Sequence, residues 1–307
     1  MTLCAPILAL ALVQAAAGQT PCPGELRLSV QVIDRRGDPI PGLTAADFRI
    51  QGRRVGPEVI EAHSNLPLDI VLLLQERSTG GLLSSAARLF VTELLPEDRV
   101  TVISFTQRRH TRVTWSSDPN EIFEAITGIE GAFRFLAVRN MDALLDGVKL
   151  FPEKEQADST RGRVILMWGE EWDESARFRA EQVLPALVLR GVPLYLTPLE
   201  AQRAPVRVSL PAPARRDTPR VAEPMAAQSL ARIAHASGGE VFGPPESDSL
   251  AQMVQRARAR YLLTACRENK RADRIPAVEL SPAARERFPA AKVLYPKDKI
   301  EAGVILH

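Results

Sequence analysis

The sequence predicts an α/β protein: a doubly wound, mostly parallel, Rossmann-like sheet with a small β domain built from the N- and C-terminal segments. Uninterrupted apolar runs such as residues 71–74 are typical of strands buried on both faces of a parallel sheet. Segments with helical periodicity alternate with these runs, as right-handed crossovers require. At both ends of the chain the pattern changes to short strands with alternating polar and apolar residues.

The composition bounds the class of protein. A chain of 307 residues can bury one sizeable core and a smaller second one. Its 45% hydrophobic and 25% charged residues are those of an ordinary globular protein. Because Lys+Arg 39 nearly balances Asp+Glu 37, no overall field favours nucleic acid, and we expect no nucleic-acid partner.

Residues 1–18 have the pattern of a secretory signal peptide. They carry no charged side chain, an apolar run over residues 3–13 and small residues at 15–18. The run is short for a membrane span. We therefore expect cleavage near Gly18, export to the periplasm or the medium, and no membrane span after cleavage. An uncleaved anchor is the alternative.

The first part of the small β domain is predicted over residues 22–64. Leu26, Leu28, Val30 and Val32 alternate with polar residues, which indicates a half-buried strand. A turn at 36–39, a single helical turn at 44–47 and strands from Phe48 and around 55–62 follow.

Residues 261–296 return to a strand pattern, at 261–265, 275–280 and 292–295, and we expect these strands to complete the small β domain. Cys22 and Cys266 would then lie in one module. They either form a disulfide or remain two free thiols.

Residues 67–260 carry the alternating α/β pattern. Strands are expected at 68–74, 99–105, 112–115 (antiparallel), 163–168, 192–197 and 240–242. Helices are expected at 82–95, 120–126, 141–151, 174–190, 228–236 and 249–260. Between them, residues 200–224 are rich in proline and arginine and predict an exposed loop, which is either a solvated insertion or a contact for an acidic partner.

Five stretches carry a resemblance to a known family: VIDRRGDPIPGLTAADFRI, PLDIVLLL, LLPEDRVTVISF, MDALLDGV and RVILMWGEE. Over about residues 26–295 the chain resembles exported bacterial proteins of the von Willebrand factor type A kind, the VWFA-related domain family. The resemblance implies a type A, Rossmann-like domain at residues 67–260 and a role in protein–protein interaction.

Metal-binding type A domains carry Asp-x-Ser-x-Ser after the first strand, a Thr before a later helix and an Asp after the fourth strand. Together these residues form a metal-ion-dependent adhesion site, which suits Mg²⁺. The resemblance places Gln75, Arg77, Thr79, Val138 and Gly169 at these positions. Only Thr79 keeps a ligand hydroxyl, and Arg77 adds a permanent cation. The resemblance therefore implies a degenerate site that holds no metal and no cofactor.

The polar and aromatic residues around this edge of the sheet are the candidates for contact with a protein partner. They are Glu76, Arg77, Ser78, Thr79, Arg139, Asn140, Trp168, Glu170, Trp172 and Asp173.

Two alternatives stay open at this edge. Glu170, Glu171 and Asp173 either supply new carboxylates to a metal or cap the helix expected from residue 174. Arg77 either offers its guanidinium to a partner's carboxylate or pairs with Glu76 or Glu170.

Signatures of catalysis are missing from the sequence, which has neither a Gly-x-Ser-x-Gly elbow nor a His-Glu-x-x-His motif. We expect no catalytic residues. The expected function is that of a non-catalytic, extracytoplasmic interaction or scaffold protein. The alternatives are a metal-dependent adhesion module with substituted Mg²⁺ or Mn²⁺ ligands and, third, an enzyme.

Overall fold

The structure, a computed structural model, describes residues 25–51, 55–76, 81–129, 138–152, 160–170, 180–199, 230–267 and 275–297. The expected signal peptide at 1–18 and the proline- and arginine-rich loop at 200–224 lie outside these residues.

Strands and helices alternate along the middle of the chain. The strands are β1 (Glu25–Ile33), β2 (Phe48–Gln51), β3 (Val55–His63), β4 (Leu68–Gln75), β5 (Arg99–Phe105), β6 (Arg109–Ser116), β7 (Gly162–Glu170), β8 (Leu194–Leu199), β9 (Tyr261–Arg267), β10 (Ala277–Leu280) and β11 (Lys292–Leu294). The helices are α1 (Leu82–Thr92), α2 (Pro119–Thr127), α3 (Asn140–Leu150), α4 (Ala180–Arg190), α5 (Leu230–Ala236), α6 (Ser249–Arg258) and α7 (Pro282–Arg287). A single 3₁₀ turn at Ala45–Asp47 precedes β2.

The central sheet has five strands in the order β6-β5-β4-β7-β8. β4 pairs in parallel with β5 and β7, β7 pairs in parallel with β8, and β6 is antiparallel to β5. Every residue of β4 is buried, as its apolar run predicts. The expected fold class is confirmed: the sheet is doubly wound and mostly parallel.

Helices cover both faces of this sheet and form two cores. Ile70, Leu72 and Leu74 pack with α1, α2 and α6. Val71 and Leu73 pack with α3, α4 and α5 on the other face. Burying each of these side chains contributes about 1.5–3 kcal/mol to stability. Among the helices that the structure describes, none combines the length and the apolar character of a membrane-spanning helix.

The second sheet has six strands in the order β10-β2-β3-β9-β1-β11, and neighbouring strands are antiparallel. Both ends of the chain contribute to it, so the predicted small β domain is confirmed as part of the fold. β9 lies between β3 and β1 and supplies Tyr261 and Leu263 to a core shared with Leu28, Val30 and Phe48.

Two elements differ from expectation. The strand expected at 240–242 is reduced to a single bridge between Leu196 and Val241, because the following Pro244 and Pro245 have no backbone N–H to continue a ladder. Helix α7 was not predicted. Ser281 accepts a hydrogen bond from the Ala284 N–H at 3.4 Å and Pro282 follows it, which is a regular helix start. Residues 174–179 and 228–229 of two expected helices lie outside the described residues.

Parallel pairing gives the central sheet two distinct edges. The carboxyl ends of β4, β5 and β7 form the upper edge, at residues 74–76, 105–108 and 168–170. The amino ends form the lower edge, at residues 66–69, 97–99 and 160–163, and the small β domain joins the sheet here.

Candidate functional site

The upper edge lies at the topological switch point of the sheet. β4 is flanked by β5 on one side and β7 on the other, and crossovers in opposite directions leave a crevice above such a strand. Gln75 ends β4 here and is opposite Phe105, while Leu74 is opposite Trp168. The site that the sequence marked is therefore assembled from three strands.

Gln75 and Asn140 hold the end of β7 between them. The Gln75 side chain is buried, and its Oε1 accepts a hydrogen bond from the Glu170 N–H at 2.7 Å. The Asn140 Nδ2 donates to the Glu170 carbonyl oxygen at 2.8 Å. The side-chain amides of Gln75 and Asn140 thus hydrogen-bond both the backbone N–H and the backbone carbonyl of Glu170. The side-chain oxygen of Gln75 thereby joins β4 to β7.

Gly169 is needed for this packing. A Cβ atom at residue 169 would lie 3.3 Å from Asn140 Oδ1, 3.3 Å from Phe105 Cζ and 3.4 Å from Gln75 Oε1. The two distances of 3.3 Å are tighter than ordinary van der Waals contact, so a side chain here has to shift these neighbours by a few tenths of an ångström. A side chain at residue 169 would therefore press against the amide cluster formed by Gln75 and Asn140.

Glu76, the next residue along the upper edge, is also engaged. Its Oε1 accepts from Ser104 Oγ at 2.7 Å and from Arg112 Nη2 at 3.4 Å, and Arg112 Nε donates to Ser104 Oγ at 2.9 Å. The Glu76 N–H donates to the Phe105 carbonyl at 2.9 Å. Its side chain is only 9% exposed. This carboxylate therefore joins β4 to β5 and β6.

The described residues of the upper edge offer a divalent cation few side-chain oxygens that are free of protein hydrogen bonds. A cation of the Mg²⁺ type needs several hard oxygen ligands with free lone pairs. Gln75 Oε1 and Glu76 Oε1 already accept protein hydrogen bonds, and Val138 and Gly169 have no side-chain oxygen. Within the described ranges no three His, Cys, Asp or Glu side chains are placed to share a metal ion. Arg77 and Thr79 lie outside those ranges.

The turn between β5 and β6 adds residues that sequence reasoning missed. Gln107 and Arg108 are exposed, and the Thr106 carbonyl next to them accepts from the Arg139 N–H at 3.1 Å. Behind the turn, Arg109 Nη1 lies 2.6 Å from Asp146 Oδ2. The signal was available, because polar residues directly after a buried strand parallel to β4 must reach the same edge.

The predicted partner-contact residues divide by exposure. Trp168 is 2% exposed and packs among the residues around α1, α2 and α6, and Asn140 is fully buried. These two side chains therefore offer no surface to a partner, since the core and the amide cluster enclose them. Glu76, Arg139 and Glu170 are half-buried at the upper edge. Outside the described residues lie Arg77, Ser78, Thr79, Glu171, Trp172 and Asp173.

Cys266 lies on β9 opposite Glu25 and is disulfide-bonded. Cys22 lies outside the described residues, so its pairing with Cys266 stays a prediction.

Comparisons with known proteins give distant structural similarity alone. No protein-family model matches the chain, and no curated protein does. Among solved structures, the chain is similar to the conserved hypothetical protein BatB from Bacteroides thetaiotaomicron, with 18% identity over 62% of this chain and 96% of that one and a TM-score of 0.43. It is similar to an aerotolerance-related membrane protein from Bacteroides fragilis, with 16% identity over 62% and 98% and a TM-score of 0.41.

A third similar structure is proximal thread matrix protein 1 from the mussel byssus, with a zinc-occupied MIDAS motif. It shows 13% identity over 71% of this chain and 50% of that one, with a TM-score of 0.43. Similarities this distant support no functional conclusion. The fold described above rests on the observed strand order instead.

Proposed function

We propose that this protein is a non-catalytic interaction module of the exported type A kind, which binds a protein partner at its upper edge without a divalent cation. The observation that carries the proposal is the hydrogen bond of 2.7 Å from the Glu170 N–H to Gln75 Oε1. This hydrogen bond supports the proposal, because it engages the Gln75 side-chain oxygen between two strands, where a metal-dependent module would use that position to ligate the cation.

The contact surface that we propose is the rim around the amide cluster of Gln75 and Asn140, which is partly exposed and partly half-buried. It consists of Gln107 and Arg108 in the β5–β6 turn together with Arg139 and Glu170. Two of these residues are arginines, whose planar guanidinium groups pair well with carboxylates. We infer that the partner presents acidic side chains, which take the place of the carboxylate–cation contact of a metal-dependent module.

The proposal includes export. Residues 1–18 have the composition of a signal peptide, and we infer that the mature protein meets its partner outside the cytoplasm.

The test is site-specific photo-crosslinking in cells that express the full chain. A photoreactive residue at Gln107 should give one main adduct with a protein partner in the extracytoplasmic fraction, and the same residue at exposed Arg88 on α1 should not. Charge reversal by Arg108→Glu should remove the adduct, whereas Arg88→Glu should preserve it.

A chelator separates the proposal from the metal-dependent alternative. The adduct should form equally with and without EDTA, and titration of the purified protein with Mg²⁺ or Mn²⁺ should release no binding heat. An adduct that needs the cation, or a measurable heat with a matching rise in unfolding temperature, would reject cation-free recognition.

A further inference from the structure

A cavity at the lower edge separates the two sheets. It is partly open to solvent and is lined by residues of both sheets. Six arginines line it: Arg27, Arg161, Arg163, Arg190, Arg258 and Arg260. They come from β1, from the start of β7, from the end of α4 and from the end of α6. The fold thus gathers six cationic side chains from both domains around one opening.

Two of these arginines are neutralised by buried carboxylates. Arg161 Nε lies 2.7 Å from Asp69 Oδ1, and Arg258 Nη2 lies 2.6 Å from Asp98 Oδ2. Asp69 also pairs with Arg99, at 2.8 Å. These carboxylates hold the guanidinium groups of Arg161 and Arg258 at the cavity wall.

The charge of Arg163, Arg190 and Arg260 is not offset in this way. In the part of the chain that the structure describes, none of the three has a carboxylate within ion-pair distance. Arg163 Nη1 donates to the carbonyls of Pro152 at 2.9 Å and Arg190 at 3.3 Å. Arg190 Nε is buried and makes no hydrogen bond to any described residue. These three arginines therefore leave positive charge in the cavity wall that no ion pair among the described residues neutralises.

The pKa of Arg163 is lowered, as expected for a buried guanidinium group next to another positive charge. Burial is the main cause that lowers its pKa, Asp69 raises it, and the positive charge of Arg190 lowers it further. An anion between Arg163 and Arg190 would relieve their repulsion and the cost of burial together.

Part of the cavity wall is apolar. Leu66, Leu68, Ala257 and Leu262 line it beside the arginines. A cavity that combines an apolar wall with convergent charged donors suits an organic anion better than an inorganic ion.

We propose that this inter-domain cavity binds a small organic ligand that carries a phosphoryl group. Guanidinium groups present paired donors in a plane that matches phosphate oxygens, and several of them around one opening favour the higher charge of a phosphoryl group over a single carboxylate. The site is separate from the upper edge and independent of the function proposed there.

The experiment is calorimetric titration of the full chain at fixed ionic strength. The probes are phenyl phosphate, inorganic phosphate and citrate, with thermal unfolding measured in parallel. Phenyl phosphate should bind with a dissociation constant of about 1 mM or below, more tightly than inorganic phosphate or citrate, and should raise the unfolding temperature. Binding should weaken as salt is added.

Three single variants remove one positive charge each. Arg163→Met and Arg190→Met should weaken phenyl phosphate binding about tenfold or more, because each loses a charged hydrogen-bond donor. The control, Arg88→Met at an exposed residue of α1, should leave the affinity unchanged. Failure of every phosphate probe to bind the wild-type chain would overturn the proposal, as would equal affinity in all three variants or tighter binding of citrate.

Discussion

The two edges of the central sheet differ in how their polar and charged side chains are paired. At the upper edge, neutral amides of Gln75 and Asn140 satisfy the backbone of Glu170, and charged side chains such as Arg108 lie around them. At the lower edge, six arginines surround a cavity in which two of them, Arg161 and Arg258, pair with carboxylates. Strand order alone marks the upper edge as the binding edge. The comparison teaches that side-chain chemistry, and not position in the fold, decides where unsatisfied binding groups remain.

The first prediction has the largest expected effect and concerns backbone packing at the lower end of the central sheet. A Cβ atom at Gly239 would lie 1.8 Å from the carbonyl oxygen of Leu194, at the start of β8. Because backbone cannot move aside cheaply, Gly239→Ala should lower the free energy of unfolding by about 3 kcal/mol or more. Urea unfolding followed by circular dichroism measures it.

Alanine substitutions at two other glycines serve as comparisons for the loss of stability at Gly239. Gly243→Ala should cost little, since nothing lies within 4 Å of its Cβ position. Gly169→Ala, in the upper edge, should cost an intermediate amount of about 1 kcal/mol, because its nearest contacts are side-chain atoms at 3.3–3.4 Å. If Gly169→Ala were the more costly of the two edge substitutions, the upper edge would be the more tightly packed one.

The second prediction concerns the polar contacts between the two sheets. Arg260 is buried, and it donates to Ser29 Oγ at 2.8 Å, to the Ser29 carbonyl at 2.8 Å and to Tyr195 OH at 3.3 Å. Arg260→Met leaves these acceptors unpaired and should cost about 2–3 kcal/mol of unfolding free energy. The charge-matched Arg88→Met should stay within about 0.5 kcal/mol of the wild type. Equal values for both would mean that solvent replaces the lost contacts.

The third prediction concerns the contribution of the Gln75 side chain, at the upper edge, to the free energy of unfolding. Gln75→Leu removes the acceptor of the Glu170 N–H with little change in volume, and should cost about 1–2 kcal/mol in chemical unfolding. Gln107→Leu, in the exposed turn nearby, should be close to neutral. The contrast between the edges would be reversed if Gln75→Leu cost more than Arg260→Met.

The smallest effect is a dependence on pH at the domain junction. Burial raises the pKa of Glu240, and Arg256, Arg260 and Gln31 lower it in part. A carboxyl group with a raised pKa binds its proton more tightly when folded, so its ionised form costs stability at neutral pH, and the cost disappears as pH falls through the folded-state pKa.

Glu240→Gln should therefore be slightly more stable than the wild type at pH 7, by less than about 1 kcal/mol, and the difference should vanish near pH 4. Thermal unfolding between pH 4 and pH 8 measures it. A variant less stable at pH 7 would show that the contact from Arg256 Nε to Glu240 Oε2, at 3.9 Å, outweighs burial.

Much of the fold could be predicted because its signals are local. The apolar run of β4 and the alternation in β1 lie within a few residues of sequence. The polar face of β1, in contrast, contacts residues that are far away in the sequence. Gln31 looks like a solvent-facing residue, yet it is fully buried, and Tyr195 OH of the other domain donates to its Oε1 at 3.0 Å. No periodicity records a contact between residues so far apart in the chain.

The candidate site shows the same division. The position of Gln75 after a buried strand was enough to mark it, but its hydrogen bond to Glu170 depends on the pairing of β4 with β7. The arginines of the lower cavity were not grouped by sequence reasoning, since Arg27 and Arg260 meet only once the chain ends share a sheet.

The strand order of the small sheet has a consequence for the order of folding. In the sheet, β9 lies between β3 and β1. Along the chain, residues 68–258 are synthesised after β3 and before β9. During synthesis the first three strands emerge without their central neighbour, and closing so long a loop from an unfolded chain is slow. Folding of the α/β domain shortens that loop, because its lower edge brings both ends of the segment together. We expect the small sheet to form last, after β9, β10 and β11 have been synthesised and the α/β domain has folded.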